Sequence, residues 1–397
     1  MKCKKCGKEI ADGVQFCQYC GCPQETAKAH TGEAAEMKKR YQLKTKVVII
    51  ALVILCLVAG GGIFWYMQKE QELKQPLYPF LDAKTDLYGY IDADGEWKIE
   101  PQFKWAMDFS EGLAPVATEK LVWGYIDKTG NYVIEPQFMN AGNFSEGLAA
   151  VCENDAYEYY GYIDKTGEFV IKPQIPQPID LEEYEYGIDS MEFHDGRALV
   201  ANASGYGGYI DKTGKYIVEP SYEVAEPFSD GFALVKRKDE LYGYIGENGE
   251  TVIEPQFEEA RSFHEGMAAV SDGSGYYGYI DKSGMFVVDP VFAEAGSFNG
   301  GIAGVQDSET MLCGYIDKSG SYIIEPQFET AVTFQEGLAA AGENGGPYGY
   351  INEEGIYAIE PQFDWMKSFK NGLAYVEDEQ GGYGYINKSG EYVVYEK

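Results

Sequence analysis

The sequence predicts an all-β repeat domain of nine antiparallel units, about 35 residues each, arranged like propeller blades or as an open β-superhelix. A small cysteine-rich module and one transmembrane helix precede it. Three observations carry this reading. A Gly-Tyr-Ile tripeptide begins at Gly89, Gly124, Gly161, Gly208, Gly243, Gly278, Gly314, Gly349 and Gly384, with spacings of 35, 37, 47, 35, 35, 36, 35 and 35 residues. Such a period marks stacked supersecondary units. Val47 to Met67 is an uncharged run of 21 residues. Five of the eight cysteines lie within the first 22 residues.

These features divide the chain into 1–24, a metal module; 25–46, a basic juxtamembrane linker; 47–67, the span; 68–81, an extracytoplasmic linker; and 82–397, the repeats. Charge follows the same division. Residues 1–46 carry ten basic and five acidic side chains, and residues 68–397 carry 22 basic and 59 acidic. The net charge of −32 argues against nucleic acid, whose affinity rests on Lys and Arg neutralising phosphates. Three histidines leave little room for a His-rich metal enzyme.

Cys3-Lys4-Lys5-Cys6-Gly7 is followed by Cys17-Gln18-Tyr19-Cys20-Gly21, with ten residues between the pairs. Each pair puts two thiolates on one tight turn, and Gly7 and Gly21 permit the positive φ that follows. Four sulfurs then meet around one zinc ion at about 2.3 Å. Metal supplies most of the folding energy, because so short a segment buries too little core. Cys22 is a spare thiol beside the site and a competing ligand. The segment resembles the short zinc ribbon at the N-terminus of many bacterial membrane proteins, through Cys3, Cys6, Gly7, Ile10, Phe16, Cys17, Cys20 and Gly21. The resemblance implies a closed, structural zinc site.

A helix over 47–67 would be about 31 Å long, the thickness of the hydrocarbon core. It starts too late and runs too long for a cleaved leader, so it reads as a signal anchor. Lys38, Lys39, Arg40, Lys44 and Lys46 flank its N-terminal end. The positive-inside rule then places the N-terminus in the cytoplasm and the repeats outside. The thiolates thereby stay in the reducing compartment.

A representative repeat runs from Tyr242 to Val270, YGYIGENGETVIEPQFEEARSFHEGMAAV. Gly-Tyr-Ile-Asp followed by Lys-Thr-Gly or Lys-Ser-Gly is a strand entering a hairpin, with Asp bonding the turn and Gly in the left-handed position. The next strand alternates, as in Tyr132-Val133-Ile134-Glu135, and Pro136 places its end at an edge or bend. A short extended segment, a second aromatic, an acidic-Gly pair and a small-residue strand such as Leu148-Ala149-Ala150-Val151 complete three strands and a short fourth. Leu81-Asp82-Ala83 stands in for the small strand of the first repeat. Neither end reads as a polar cap, which favours closure over an open superhelix.

Residues 82–397 resemble the WG-repeat (KWG) family of bacterial proteins. Trp123-Gly124 keeps the eponymous pair; Tyr88, Tyr160, Tyr242, Tyr277, Tyr348 and Tyr383 replace the Trp elsewhere, with Gly207 and Cys313 as departures. The resemblance implies a repeat β domain and brings no catalytic residues.

Candidate chemistry is sparse. Asp127-Lys128-Thr129-Gly130 recurs at Asp164 and Asp211, with Ser forms at Asp281 and Asp317. Ion-pumping ATPases carry the same string around a phosphorylated aspartate, but here it occupies one hairpin position throughout and reads as a turn. Glu111, Glu146, Asp195, Asp230, Glu265 and Glu336 precede glycines at one repeat position. In a ring they form a circle of carboxylates, either solvated turn charge or oxygen ligands for Ca²⁺. No unique carboxylate pair stands out for glycoside hydrolysis. The 47-residue spacing inserts twelve residues near Pro176 to Phe193, containing Asp180, Glu182, Glu183, Tyr184, Glu185, Tyr186 and Asp189. Repeat insertions gather on one face and often bind, so this loop is a candidate ligand site. Cys152 and Cys313 sit at different repeat positions and are expected to remain unbridged.

The sequence therefore points to a single-pass, non-enzymatic binding or scaffold protein of the cell envelope. Its expected partners are a wall polymer or surface protein outside and a cytoplasmic protein at the zinc ribbon. The alternatives are a transmembrane signalling receptor and, further off, an envelope hydrolase.

Overall fold

The computed structural model describes residues 1–24, 74–153, 159–176, 188–342 and 346–397. They belong to two compact units, Met1–Lys74 and Gln75–Lys397. Among the described residues no helix is long and apolar enough to cross a membrane; the expected span at 47–67 lies outside them.

The larger unit is built from one three-stranded sheet, six four-stranded sheets and one seven-stranded sheet, all antiparallel. The seven-stranded sheet joins the sixth and seventh repeats, because Phe286–Ala295 runs unbroken from one into the next. Nine repeats result. The second shows the common plan: Trp105–Ala106, Leu113–Ala117, Trp123–Asp127 and Tyr132–Phe138, each paired with the next. Leu113–Ala117 is buried throughout, so only short side chains fit along most of it. Tyr132–Phe138 lies at the sheet edge and buries only Ile134 and Phe138. The short fourth strand is present, two residues long, in most repeats.

The recurring turn chemistry has direct causes. Asp127 accepts the Thr129 N–H at 2.8 Å and the Asn131 N–H at 3.2 Å, while Gly130 takes φ 82°. The Asp of Asp-Lys-Thr-Gly is thus a turn residue. A Cβ on Gly124 would lie 2.6 Å from the Ile134 carbonyl oxygen and 2.8 Å from the Pro136 nitrogen. The opposing strand bulges toward Gly124 at the proline, which the register shift between Trp123 and Tyr125 records.

One contact links neighbouring repeats all the way round. In the first eight repeats the tyrosine of Gly-Tyr-Ile is fully buried, and its hydroxyl donates to a carbonyl at the start of the following repeat. Tyr90 reaches Met107, Tyr125 Gly142, Tyr209 Glu226, Tyr244 Arg261, Tyr279 Gly296, Tyr315 Val332 and Tyr350 Lys367, each 17 residues ahead at 2.5–2.8 Å. Tyr162 reaches Met191, 29 residues ahead at 2.8 Å, so the bond is kept across the twelve additional residues. A phenylalanine from the following repeat packs on each ring, as Phe144 does on Tyr125 at 4.9 Å.

The ninth repeat makes the same contact with the first. Tyr385 donates to the Pro79 carbonyl at 3.2 Å, and the Tyr78 ring takes the place of the phenylalanine. Tyr78 in turn donates to the Asn371 carbonyl at 2.6 Å. Elsewhere each hairpin glycine rests on an aliphatic residue of the repeat before it, as Gly130 does on Ile99; Gly95 rests on Val393 of the ninth repeat. The nine repeats therefore close into a propeller-like ring, and the open superhelix is set aside. The strand that completes the first repeat is Tyr78–Asp82, not Leu81–Ala83. Residues 78–81, expected in the linker, belong to the ring.

Candidate metal and binding sites

In the N-terminal module the two Cys-x-x-Cys turns repeat one geometry. Gly7 and Gly21 both have φ 67°, and their N–H groups donate to the Cys3 and Cys17 carbonyls at 2.9 and 2.8 Å. The Cys3, Cys6, Cys17 and Cys20 sulfurs lie within 4.8 Å of one another. Cys3 to Cys20 is 3.6 Å and Cys6 to Cys17 is 3.7 Å. Tetrahedral bonds of 2.3 Å set sulfurs about 3.8 Å apart, so these four fit a zinc-sized ion. Cys22 lies 3.2 Å from both Cys3 and Cys20, closer than an edge of that tetrahedron, which makes it a neighbour of the set. The Cys6 N–H leads the bonds that lower the Cys3 pKa to about 5, favouring a thiolate there.

The carboxylates read as turn charge or as Ca²⁺ ligands make defined links between repeats. Each sits at the first central position of a two-residue turn with φ near 50°, a conformation that normally selects Asn or Gly. Its side chain extends to the equivalent turn of the next repeat. Glu111 accepts the Gly147 N–H at 3.1 Å, Glu146 that of Gly196 at 3.0 Å, Asp195 that of Gly231 at 2.9 Å and Asp230 that of Gly266 at 2.6 Å. Glu265 takes Gly300 and Gly301, and Glu336 takes Asn371 and Gly372. The hairpin lysine of that next repeat adds an ion pair: Lys165 to Glu111 and Lys212 to Glu146 at 3.0 Å, Lys318 to Glu265 and Lys388 to Glu336 at 3.2 Å. The six carboxylates thus point one after another around the ring and do not converge. Among the described residues, the group of potential ligands close enough to share an ion is the four cysteines.

Desolvation opposes ionisation of Glu265, but the Gly301 N–H and Lys318 outweigh it and lower its pKa. Glu336 is lowered in the same way, with Lys388 and the Gly372 N–H overcoming desolvation. The fifth repeat departs from this plan. Gly246-Glu247 replaces Asp-Lys, and Arg197 of the fourth repeat pairs with Glu247 at 3.0 Å. The charges are exchanged and the link survives.

Of the insert residues, Asp180, Glu182, Glu183, Tyr184, Glu185 and Tyr186 lie outside the described residues. Asp189 falls in the 3₁₀ turn Ile188–Met191 that leads back into the ring. Cys152 is buried and Cys313 half-buried, and no disulfide joins them.

The WG containing repeat matches residues 88–120, 123–157, 160–176, 208–241, 242–276, 277–308, 314–346 and 348–380, and the chain belongs to this family. The ninth repeat of the ring extends past the last match. No curated protein matches the chain. Among solved structures, the computationally designed Ika8 protein is similar at 12% identity and a TM-score of 0.43, over 71% of this chain and 95% of that one. BamB from Moraxella catarrhalis is similar at 10% identity and 0.42, over 70% and 91%. PorZ, a surface component of the type-IX secretion system of Porphyromonas gingivalis, is similar at 10% and 0.31, over 73% and 44%.

Proposed function

We propose that this protein is an anchored, non-catalytic binding or scaffold protein of the cell envelope. The helix over 47–67 crosses the membrane with the N-terminus in the cytoplasm, and the ring recognises a wall polymer or surface protein outside. The cysteine set holds a structural zinc ion in the cytoplasm, where it offers a surface to a protein partner. The uncharged run and its basic N-terminal flank support the anchoring. The sulfur spacing supports the zinc.

One observation carries the binding reading. The repeated polar groups are occupied in joining repeat to repeat, the carboxylates by N–H groups and lysines and the tyrosine hydroxyls by carbonyls. Large aromatics nevertheless remain outside: Trp105 is 49% exposed, Trp365 46% and Tyr159 44%. Exposed aromatic area on a rigid frame suits recognition. The test is cosedimentation of the detergent-solubilised full chain with isolated cell-wall and membrane fractions, with and without calcium. Saturable binding that ignores calcium is expected. Absence of binding to every fraction would remove the reading.

A further inference from the structure

Closing the ring assembles a row of aromatic side chains from the two ends of the chain. On one side Tyr88 stacks on Trp105, with centroids 5.9 Å apart and planes at 27°. On the other, Tyr375 stacks on Tyr383 at 6.2 Å and 24°, and Trp365 meets Tyr375 edge-on at 5.8 Å. Leu81 joins the two halves: its carbonyl accepts the Tyr383 hydroxyl at 3.4 Å, and it stands opposite Tyr88 in the first sheet. Beneath the row, Phe80 packs on Tyr383 at 5.8 Å and on Trp97 at 6.0 Å.

Tyr88 and Tyr383 hold the aromatic position that most repeats share, but the repeat plan does not call for Trp105, Trp365 or Tyr375. Tyr375 stands opposite Tyr385, and the corresponding partners in the other repeats are Pro115, Ala150, Leu199, Leu234, Ala269, Gly304 and Ala340. An aromatic occurs there in the ninth repeat alone. The two-residue short strands Asn140–Ala141, Val224–Ala225, Glu259–Ala260 and Thr330–Ala331 open on other residue types; Trp opens only Trp105–Ala106 and Trp365–Met366. Both tryptophans therefore flank the closure, each about half exposed.

We propose that this row is a binding site for a neutral glycan chain. Sugar rings present flat C–H faces that stack on exposed indole and phenol rings, and their hydroxyls need polar partners at the edges. Those partners are present. Asp82, Asp86 and Glu396 lie near enough to Tyr383 to raise its pKa, behind the larger effect of desolvation, and Lys104 pairs with Asp86. The same carboxylates exclude an anionic polymer and a purely apolar ligand. Lys367 lies over Trp365 at 5.7 Å and over Tyr375 at 6.0 Å, so a cation of the chain itself already covers those two rings. The site rests on the binding reading above and names its ligand class.

The test uses the full chain in detergent, titrated with β-1,4-linked oligomers of N-acetylglucosamine and of glucose, with intrinsic tryptophan fluorescence and calorimetry as readouts. Binding of at least one series is expected, weakened roughly tenfold by Trp105→Ala and by Trp365→Ala, and restored by Trp105→Tyr and Trp365→Tyr. Thermal unfolding of each variant identifies any that fails to fold, and the Tyr variants then carry the comparison. No binding of either series, or binding unchanged in both Ala variants, overturns the proposal. Envelope cosedimentation of the same variants separates the two claims. Wild-type envelope binding that survives both Ala substitutions leaves the binding reading standing without this site; absence of envelope binding removes both.

Discussion

The Tyr385 ring lies 5.4 Å from that of Tyr78, 307 positions earlier in the sequence, where the preceding repeats place a phenylalanine from their successor. Tyr78 thus takes, against the ninth repeat, the place that a phenylalanine of the following repeat takes elsewhere. The contact combines an aromatic pair, burial to 6% exposure and a hydroxyl bond to Asn371. Tyr78→Phe is expected to cost about 1 kcal/mol through the lost bond, and Tyr78→Ala about 3 kcal/mol through lost packing. Denaturant unfolding measures both. Equal, negligible effects would mean that the ends do not hold the ring.

The buried tyrosines make the ring sensitive to alkali. Desolvation raises Tyr78 to about 12 and places Tyr90, Tyr125, Tyr162 and Tyr244 further above the usual value. In the unfolded chain they ionise near pH 10. The unfolded state therefore loses protons first. Stability is complete below about pH 10 and falls as pH rises through the folded values. Tyrosinate absorbance at 295 nm should rise in one step together with loss of β circular dichroism. A gradual rise with the β signal intact would show the hydroxyls to be accessible.

Acid acts on the carboxylate links with the opposite sign. Glu265 and Glu336 have lowered pKa values in the folded ring, so their contribution is present above the unfolded value near 4.3 and is lost as pH falls through the folded one. Glu265→Gln removes the charge, and its stability should be flatter than wild type below pH 5. At neutral pH the loss should be about 1 kcal/mol, since the Lys318 pair is largely solvated. Parallel pH curves for the two proteins would show that the carboxylate is not the group titrating.

The period, the hairpins and the tetracysteine pattern were legible because each depends on residues close in sequence. Asp127 and Gly130 define their turn among themselves, and Cys3 and Cys6 form theirs. What Glu111 does was not legible. A Glu-Gly pair reads as solvated charge until Gly147, 36 residues on, is placed beside it. The carbonyl acceptors of the buried tyrosines were hidden for the same reason, since a backbone oxygen has no sequence signature. Closure turned on Tyr78, which lay in a stretch read as linker. The aromatic row was unreadable as a site, because Trp105 and Trp365 are distant in the chain and come to flank one junction only through closure.

The cysteine set predicts a defined metal content. The full chain should bind zinc through Cys3, Cys6, Cys17 and Cys20, as their sulfur spacing fits. Cys17→Ser should abolish stable binding, whereas Cys22→Ser should retain it, because Cys22 lies too close to Cys3 and Cys20 to complete the tetrahedron. Elemental analysis after dialysis against a weak chelator gives the answer. Loss of zinc in Cys22→Ser with retention in Cys17→Ser would reassign the fourth ligand.

The exchanged charges at Arg197 and Glu247 predict a coupled pair. Glu247→Lys restores the lysine common to other hairpins, yet it places that lysine against Arg197, which is only 20% exposed. The single substitution should therefore destabilise by about 0.5–1 kcal/mol, the range of a partly exposed pair turned repulsive. Adding Arg197→Ala removes the repulsion and leaves the new lysine facing Asp195, as Lys212 faces Glu146. The double variant should recover most of the loss, giving a coupling energy of about 0.5 kcal/mol or more in a double-mutant cycle. Additive effects would show that the two repeats are held by their backbone bonds and packing alone.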